Sequence, residues 1–172
     1  MLAVTDRRQQ QARLVEPYYY ATTIALLARP KSGAKPVSGL SGETACVLKG
    51  AYYAEAIAEA PTRLKTIAVR TMDEARTSLE NGKCDTIAGD IATLIQQQRL
   101  HKSLDRAIFI PTDVPPLPWA IAINKTMAGS DFEQLISDAV ADWHKSGKLK
   151  ALEKKWLGRN TEWVLRQHEA YQ

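Results

Sequence analysis

TMDEARTSLENGKCDTIAGD, Thr71 to Asp90, is the stretch whose reading decides the fold. Thr71 and Glu74 stand three residues apart, the capping-box spacing that starts a helix. Met72, Ala75 and Leu79 then fall on one helical face. Asn81-Gly82 ends the helix, because glycine takes the left-handed cap conformation without steric cost. The apolar run from Cys84 to Ala88 has the length of a strand and closes on Gly89-Asp90. Helix, glycine stop, strand and terminal carboxylate make half of an α/β unit. Ligands of open α/β sheets collect at the carboxyl ends of the strands. Asp90 therefore stands either at a ligand or as the N-cap of the next helix.

The bulk properties exclude several classes. A chain of 172 residues suits one domain or two small ones. Its 45% hydrophobic and 24% charged residues are those of a globular protein. The formal charge of +4 is modest, and no basic run alternates with aromatics, so a nucleic-acid partner is not expected. No apolar run approaches the ~20 residues of a membrane span. The opening MLAVTDRR is too short in apolar residues for a secretory signal, which reads as a cytoplasmic chain or one lacking its true beginning. His101, His144 and His168 have no metal-ligand spacing, and no metal or cofactor is expected. Cys46 and Cys84 both fall in predicted strands. Buried free thiols are expected there, and a disulfide stays open.

LENGKCDTIAGD resembles the "aL..GkvDAvi.D" stretch in the second lobe of bacterial extracellular solute-binding proteins of family 3. These are two-lobed periplasmic receptors for polar amino acids that feed ABC importers. The resemblance implies that Asp90 binds the α-ammonium group of the ligand. TDRRQQQARLVEPYYY is similar to the family's "T.eR...v.FS.PYY" segment, with Thr5, Arg8, Pro17, Tyr18 and Tyr19 in place. It implies that Arg8 grips the ligand's α-carboxylate, since a guanidinium fork matches carboxylate geometry. A solvated charge in a polar run is the other reading of Arg8. Together the two residues complement an amino-acid zwitterion.

ATTIALLAR (21–29) is apolar and β-branched, is stopped by Pro30, and resembles the family's first hinge strand. KSGAKPVSGLSGE (31–43) is a turn-rich connector. Its GLSGE is no nucleophile elbow, because Glu43 stands where the second glycine is needed. Thr44 to Lys49 is predicted as a buried parallel strand, Gly50 as a tight turn, and Tyr52 to Ala60 as a helix stopped by Pro61. Such a turn offers backbone N–H groups to an anion. The resemblance carries ligand contacts onto Leu48, Gly50, Ala51, Tyr52 and Ala3. The family's hydroxyls are missing at Ala51 and Ala3, and Tyr52 either supplies one or fills the cleft.

Thr66 to Arg70 and Ala107 to Ile110 read as strands, and Ile91 to Leu100 as a helix. PTDVPPLP (111–118) has four prolines, which argue against helix and against any central strand. WAIAINK (119–125) resembles the second hinge strand. Ser130 and Glu133 form another capping box, followed by an apolar stripe from Phe132 to Trp143. HKSGKLKALEKKWLG (144–158) resembles the family's closing element. Trp143 and Trp156 continue apolar stripes and are expected in the core. The tail 159–172 is predicted as a short helix without an assignable role.

The resemblance covers about Leu2 to Gly158 in the family's order. It implies an α/β, type II periplasmic-binding-protein-like fold of two lobes joined by hinge strands. Residues 31–115 would form lobe 2, and 1–30 with 116–172 an incomplete lobe 1. The family's leading βαβ half-lobe has no counterpart here, which implies a fragment or completion by another chain. The expected function is that of an amino-acid-binding, non-enzymatic component of a periplasmic ABC importer, with the membrane permease as partner and an amino acid or related carboxylate as ligand. The incomplete lobe implies self-association through 1–30 and 116–158, and weak amino-acid binding by the monomer. A sensory or structural domain without ligand is the alternative. A cyclohexadienyl dehydratase-like enzyme is the third, and it needs a general acid that IATLIQQQRL does not offer.

Overall fold

The computed structural model of the protein describes residues 2–30, 37–59 and 64–172. The start of the connector, 31–36, and Pro61, read as a helix stop, lie outside the described residues. The chain forms two compact units, Met1–Thr22 with Pro116–Gln172, and Thr23–Pro115. The expected lobe boundary at 30 therefore moves to 22. The reason is β3 (Ile24–Ala28), which hydrogen-bonds inside the sheet of the second unit rather than the first.

The second unit is a five-stranded mixed sheet. Its strands are β3, β4 (Thr44–Leu48), β5 (Lys65–Val69), β6 (Thr86–Asp90) and β7 (Ile108–Pro111), in the order β5-β4-β6-β3-β7. β4 pairs in parallel with β5 and β6, whereas β3 runs antiparallel to β6 and β7. Every residue of β3 is buried, as a strand covered on both faces requires. Ile24, Leu26 and Ala28 join one core with Leu40, Val47 and Ile57, and Ala25 and Leu27 join another with Val69, Leu79 and Leu94. That alternation is the period of two of a strand. Helices α2 (Ala54–Glu59), α3 (Met72–Glu80) and α4 (Ile91–Leu100) connect the strands. The α3 cap is as read: Thr71 Oγ1 accepts from the Glu74 N–H at 3.1 Å. Glu74 reaches one residue further back than a capping box requires and accepts from the Arg70 N–H at 2.8 Å.

The cysteine expectation is corrected. Cys46 and Cys84 are buried and close, but they form a disulfide, with Cα atoms 5.8 Å apart. Only Cys46 lies in a strand, and Cys84 sits just ahead of β6. The parallel register sets Cys46 beside Ile87, and the Asp85 N–H donates to the Thr44 carbonyl at 2.8 Å. These bonds draw the start of β6 against β4 and bring the two sulfurs within bonding reach.

The first unit carries a three-stranded antiparallel sheet, β1-β8-β2, from β1 (Leu2–Ala3), β2 (Arg13–Thr22) and β8 (Leu117–Ile123). Pro118 lies in β8, the central strand, against expectation. It donates nothing, but its carbonyl accepts from the Val4 N–H at 2.8 Å. The ladder of β2 slips between Val15 and Tyr20, around Pro17. Helices α5 (Asp131–Lys145), α6 (Lys148–Leu157) and α7 (Glu162–Ala170) complete the unit. The α5 stripe is buried at Val140 and His144, while Phe132 and Leu135 stay exposed. Trp156 is 65% exposed rather than in the core, and Lys155 lies 5.3 Å from its ring centre. A cation over an indole face keeps that side chain favourable in water.

The tail has a packing role that its sequence did not reveal. Val164 of α7 is buried, and Trp163 meets Tyr20 and His144 edge-on. His144 stacks on Tyr171, and its Nε2–H donates to the Tyr18 carbonyl at 2.8 Å. Buried Glu153 accepts from the Tyr20 hydroxyl, the Thr161 N–H and the Thr161 hydroxyl.

Candidate ligand-binding site

The second unit gathers most of the sequence-predicted site residues at the carboxyl ends of β4 and β6. Gly50 turns the chain after β4 at φ +75, a conformation that a side chain would strain. Tyr52 and Tyr53 follow within that turn, and α2 starts only at Ala54. The late start corrects one expectation. The Ala51 N–H donates to the Leu48 carbonyl at 3.0 Å and closes the turn, so it is not presented to an anion. Leu48 ends β4 and is half-buried.

Asp90 ends β6. Its position is that of an N-cap for α4, yet its side chain makes no capping hydrogen bond. The Tyr52 hydroxyl donates to Asp90 Oδ1 instead. Among the described residues the other oxygen, Oδ2, accepts from no neighbouring side chain. Gly89, the residue before it, lets Leu94 of α4 pack closely on β6, because a Cβ there would lie 3.2 Å from Leu94 Cδ2. Burial pushes the Asp90 carboxyl above its ordinary range, and the Tyr52 hydrogen bond draws it part of the way back.

Tyr53 was not singled out in the sequence. It is buried, and its ring meets that of Tyr52 edge-on with centres 5.1 Å apart. Burial, assisted by the Asp90 charge, pushes its hydroxyl up to about 12. The tandem Tyr52-Tyr53, one residue beyond the turn glycine Gly50, was the available signal.

Arg8 and Ala3 belong to the first unit. A short helix, α1 (Asp6–Gln11), carries Arg8, and the Thr5 hydroxyl caps it by accepting from the Arg8 N–H at 3.3 Å. Arg8 Nη1 donates to the Ala3 carbonyl at 2.9 Å. A guanidinium has five N–H donors, so this tether leaves a fork for a carboxylate. Ala3 is buried and contributes its backbone alone. Among the described residues no group of three His, Cys, Asp or Glu side chains could hold a metal ion.

The family model of bacterial extracellular solute-binding proteins, family 3, matches residues 1–159. The chain belongs to that family. Among curated relatives, the amino-acid-binding protein AabA of Dichelobacter nodosus is 24% identical over 93% of this chain and 63% of its own length. The L-cystine-binding protein TcyJ of Escherichia coli (strain K12) is 25% identical over 91% of this chain and 58% of its own. This family 3 chain thus spans 58–63% of the length of these relatives. A solved structure of the arginine-, lysine-, histidine-binding protein ArtJ from Geobacillus stearothermophilus superposes with a TM-score of 0.72 at 21% identity, over 96% of this chain and 71% of that one. The fold is that of the type II periplasmic binding proteins. Family 3 members are extracellular solute-binding proteins, and among the described residues no helix is long and apolar enough to cross a membrane.

Proposed function

We propose that this family 3 chain binds an α-amino acid for an ABC importer, outside the cytoplasm. Arg8 takes the ligand's α-carboxylate and Asp90 its α-ammonium group. The observation that carries the reading is the state of Asp90. It stands at the end of β6, does not cap α4, and has one carboxylate oxygen that accepts no hydrogen bond from a side chain among the described residues. An uncapped, half-buried carboxylate raised by burial is a group that gains from a cationic partner. The Arg8 fork supplies the opposite charge from the first unit.

Ligand then shifts the two lobes toward a closed form by its differential affinity for that form, and the membrane permease reads the closed form. The Cys46–Cys84 disulfide supports an oxidising compartment such as the periplasm, where such bonds persist. Catalysis is not part of this reading, since IATLIQQQRL after Asp90 carries no carboxylic acid for acid catalysis. Calorimetry with a panel of L-amino acids tests the proposal. The expected outcome is saturable binding of at least one member, lost in Arg8→Ala and in Asp90→Asn. Failure of the whole panel would favour a domain without ligand.

A further inference from the structure

We propose that Tyr52 is a positioning residue for Asp90: its hydroxyl holds Oδ1 and so presents Oδ2 to a primary ammonium group. The inference rests on the amino-acid reading above and deepens it at one side chain. An aspartate at the end of a strand normally turns to cap the following helix. Here the α4 cap is forgone, and the hydrogen bond from Tyr52 replaces it. A carboxylate with one oxygen already engaged has a fixed plane, and its second oxygen faces a ligand at defined orientation. Two N–H donors in a rigid fork need both oxygens in parallel. A primary ammonium is a compact charge that needs one oxygen and suits the arrangement better.

The surroundings of Asp90 leave Tyr52 as the group that can do this. β3 brings Ile24 opposite, and the first turn of α4 brings Ile91, Ala92 and Thr93, none of them charged. The Asp90 charge, after burial, raises the Tyr53 hydroxyl, and the Tyr53 ring braces that of Tyr52 edge-on. The Tyr52 hydrogen bond favours the ionised carboxylate against the burial that opposes it. Tyr52 therefore fixes the direction of Asp90 and lowers the pH above which it carries charge, against the larger effect of burial.

The test follows the Asp90 carboxyl carbon by NMR in the full chain during pH titrations. Methylammonium and tetramethylammonium chlorides serve as probes, equal in charge but different in N–H donors. Methylammonium is expected to lower the Asp90 midpoint, and tetramethylammonium to leave it in place. In Tyr52→Phe, which keeps the ring against Tyr53, the midpoint of the free protein moves up. Methylammonium capture then weakens about tenfold at acidic pH, the scale of one hydrogen bond to a charged group. The loss should shrink as pH rises and Asp90 ionises fully in both proteins, down to a remainder that the lost direction of Oδ2 alone accounts for. Tyr52→Leu serves as a second variant, checked by its melting temperature, and should move in the same direction.

An unchanged Asp90 midpoint, an equal response to both probes, or a loss of the same size at every pH would overturn the proposal. A pH-independent loss is what a purely structural tyrosine would give. Capture of methylammonium through Tyr52 and Asp90 without binding of any amino acid would uphold the positioning role and remove the amino-acid reading. Amino-acid binding that survives Tyr52→Phe with Asp90 titrating as before would do the reverse.

Discussion

Asp90 carries a pH dependence whose direction follows from its surroundings. Burial raises its carboxyl, so the folded protein takes up a proton there at higher pH than the unfolded chain does. Its contribution to stability is complete below the unfolded value and is lost as pH rises through the folded one. Urea midpoints measured across the acid range should show the wild type losing ground to Asp90→Asn over that window. A parallel pair of curves would contradict this. Ligand binding has the opposite sense, since an ammonium needs the ionised form, and it should weaken as pH falls through the Asp90 midpoint. Arg8→Ala should cost about 1.5–3 kcal/mol of ligand affinity, the range for hydrogen bonds to charged groups, which takes a weak isotherm out of calorimetric reach. The place of Asp90 at a strand end was legible because it closes a run of several residues, helix, glycine stop and strand. Tyr53 and the Thr5 cap were not, since a tandem tyrosine and a Thr-Asp pair are common and gain meaning only once Gly50 and α1 are in place.

At the scale of elements, strands and caps were legible where local chemistry dictates them. Thr71 and Ser130 cap α3 and α5 as their spacing predicts. Two misreadings depend on partners distant in sequence. Pro118 enters a central strand because Val4 uses its carbonyl and no donor is needed from it. Cys84 meets Cys46 through a parallel register that crosses 38 residues of sequence. That bridge closes a long loop, and reducing it in denaturant should cost roughly 4 kcal/mol by the loop-entropy relation. A double Cys46→Ala, Cys84→Ala variant with an unchanged urea midpoint would refute that contribution. Helix α7 owes its place to Glu153, whose carboxylate collects donors from Tyr20 and Thr161. Glu153→Ala leaves those groups unpaired and should lower stability by about 1–3 kcal/mol or more, read as a shift in the melting curve.

For the whole molecule, the two-unit division was legible in the order of its motifs, and its boundary was not. Residues 21–29 resemble a crossing strand in sequence, and Ala21 and Thr22 pair in the first sheet while Ile24 to Ala28 pair in the second. The first unit leaves Phe132, Leu135, Leu152, Trp156 and Leu165 exposed. Large apolar side chains in such number on one small unit favour association. Light scattering over a range of concentrations should show self-association that Leu135→Lys with Trp156→Lys weakens, and a monomer at every concentration would contradict it. The central claim concerns an amino-acid zwitterion shared by Arg8 and Asp90. Its most direct test is calorimetry of the wild type, Arg8→Ala and Asp90→Asn against the same panel of L-amino acids at neutral pH. The account predicts a weak but saturable isotherm for at least one amino acid, abolished in both variants. Identical heats in all three proteins, or no saturable binding by the wild type, would contradict it.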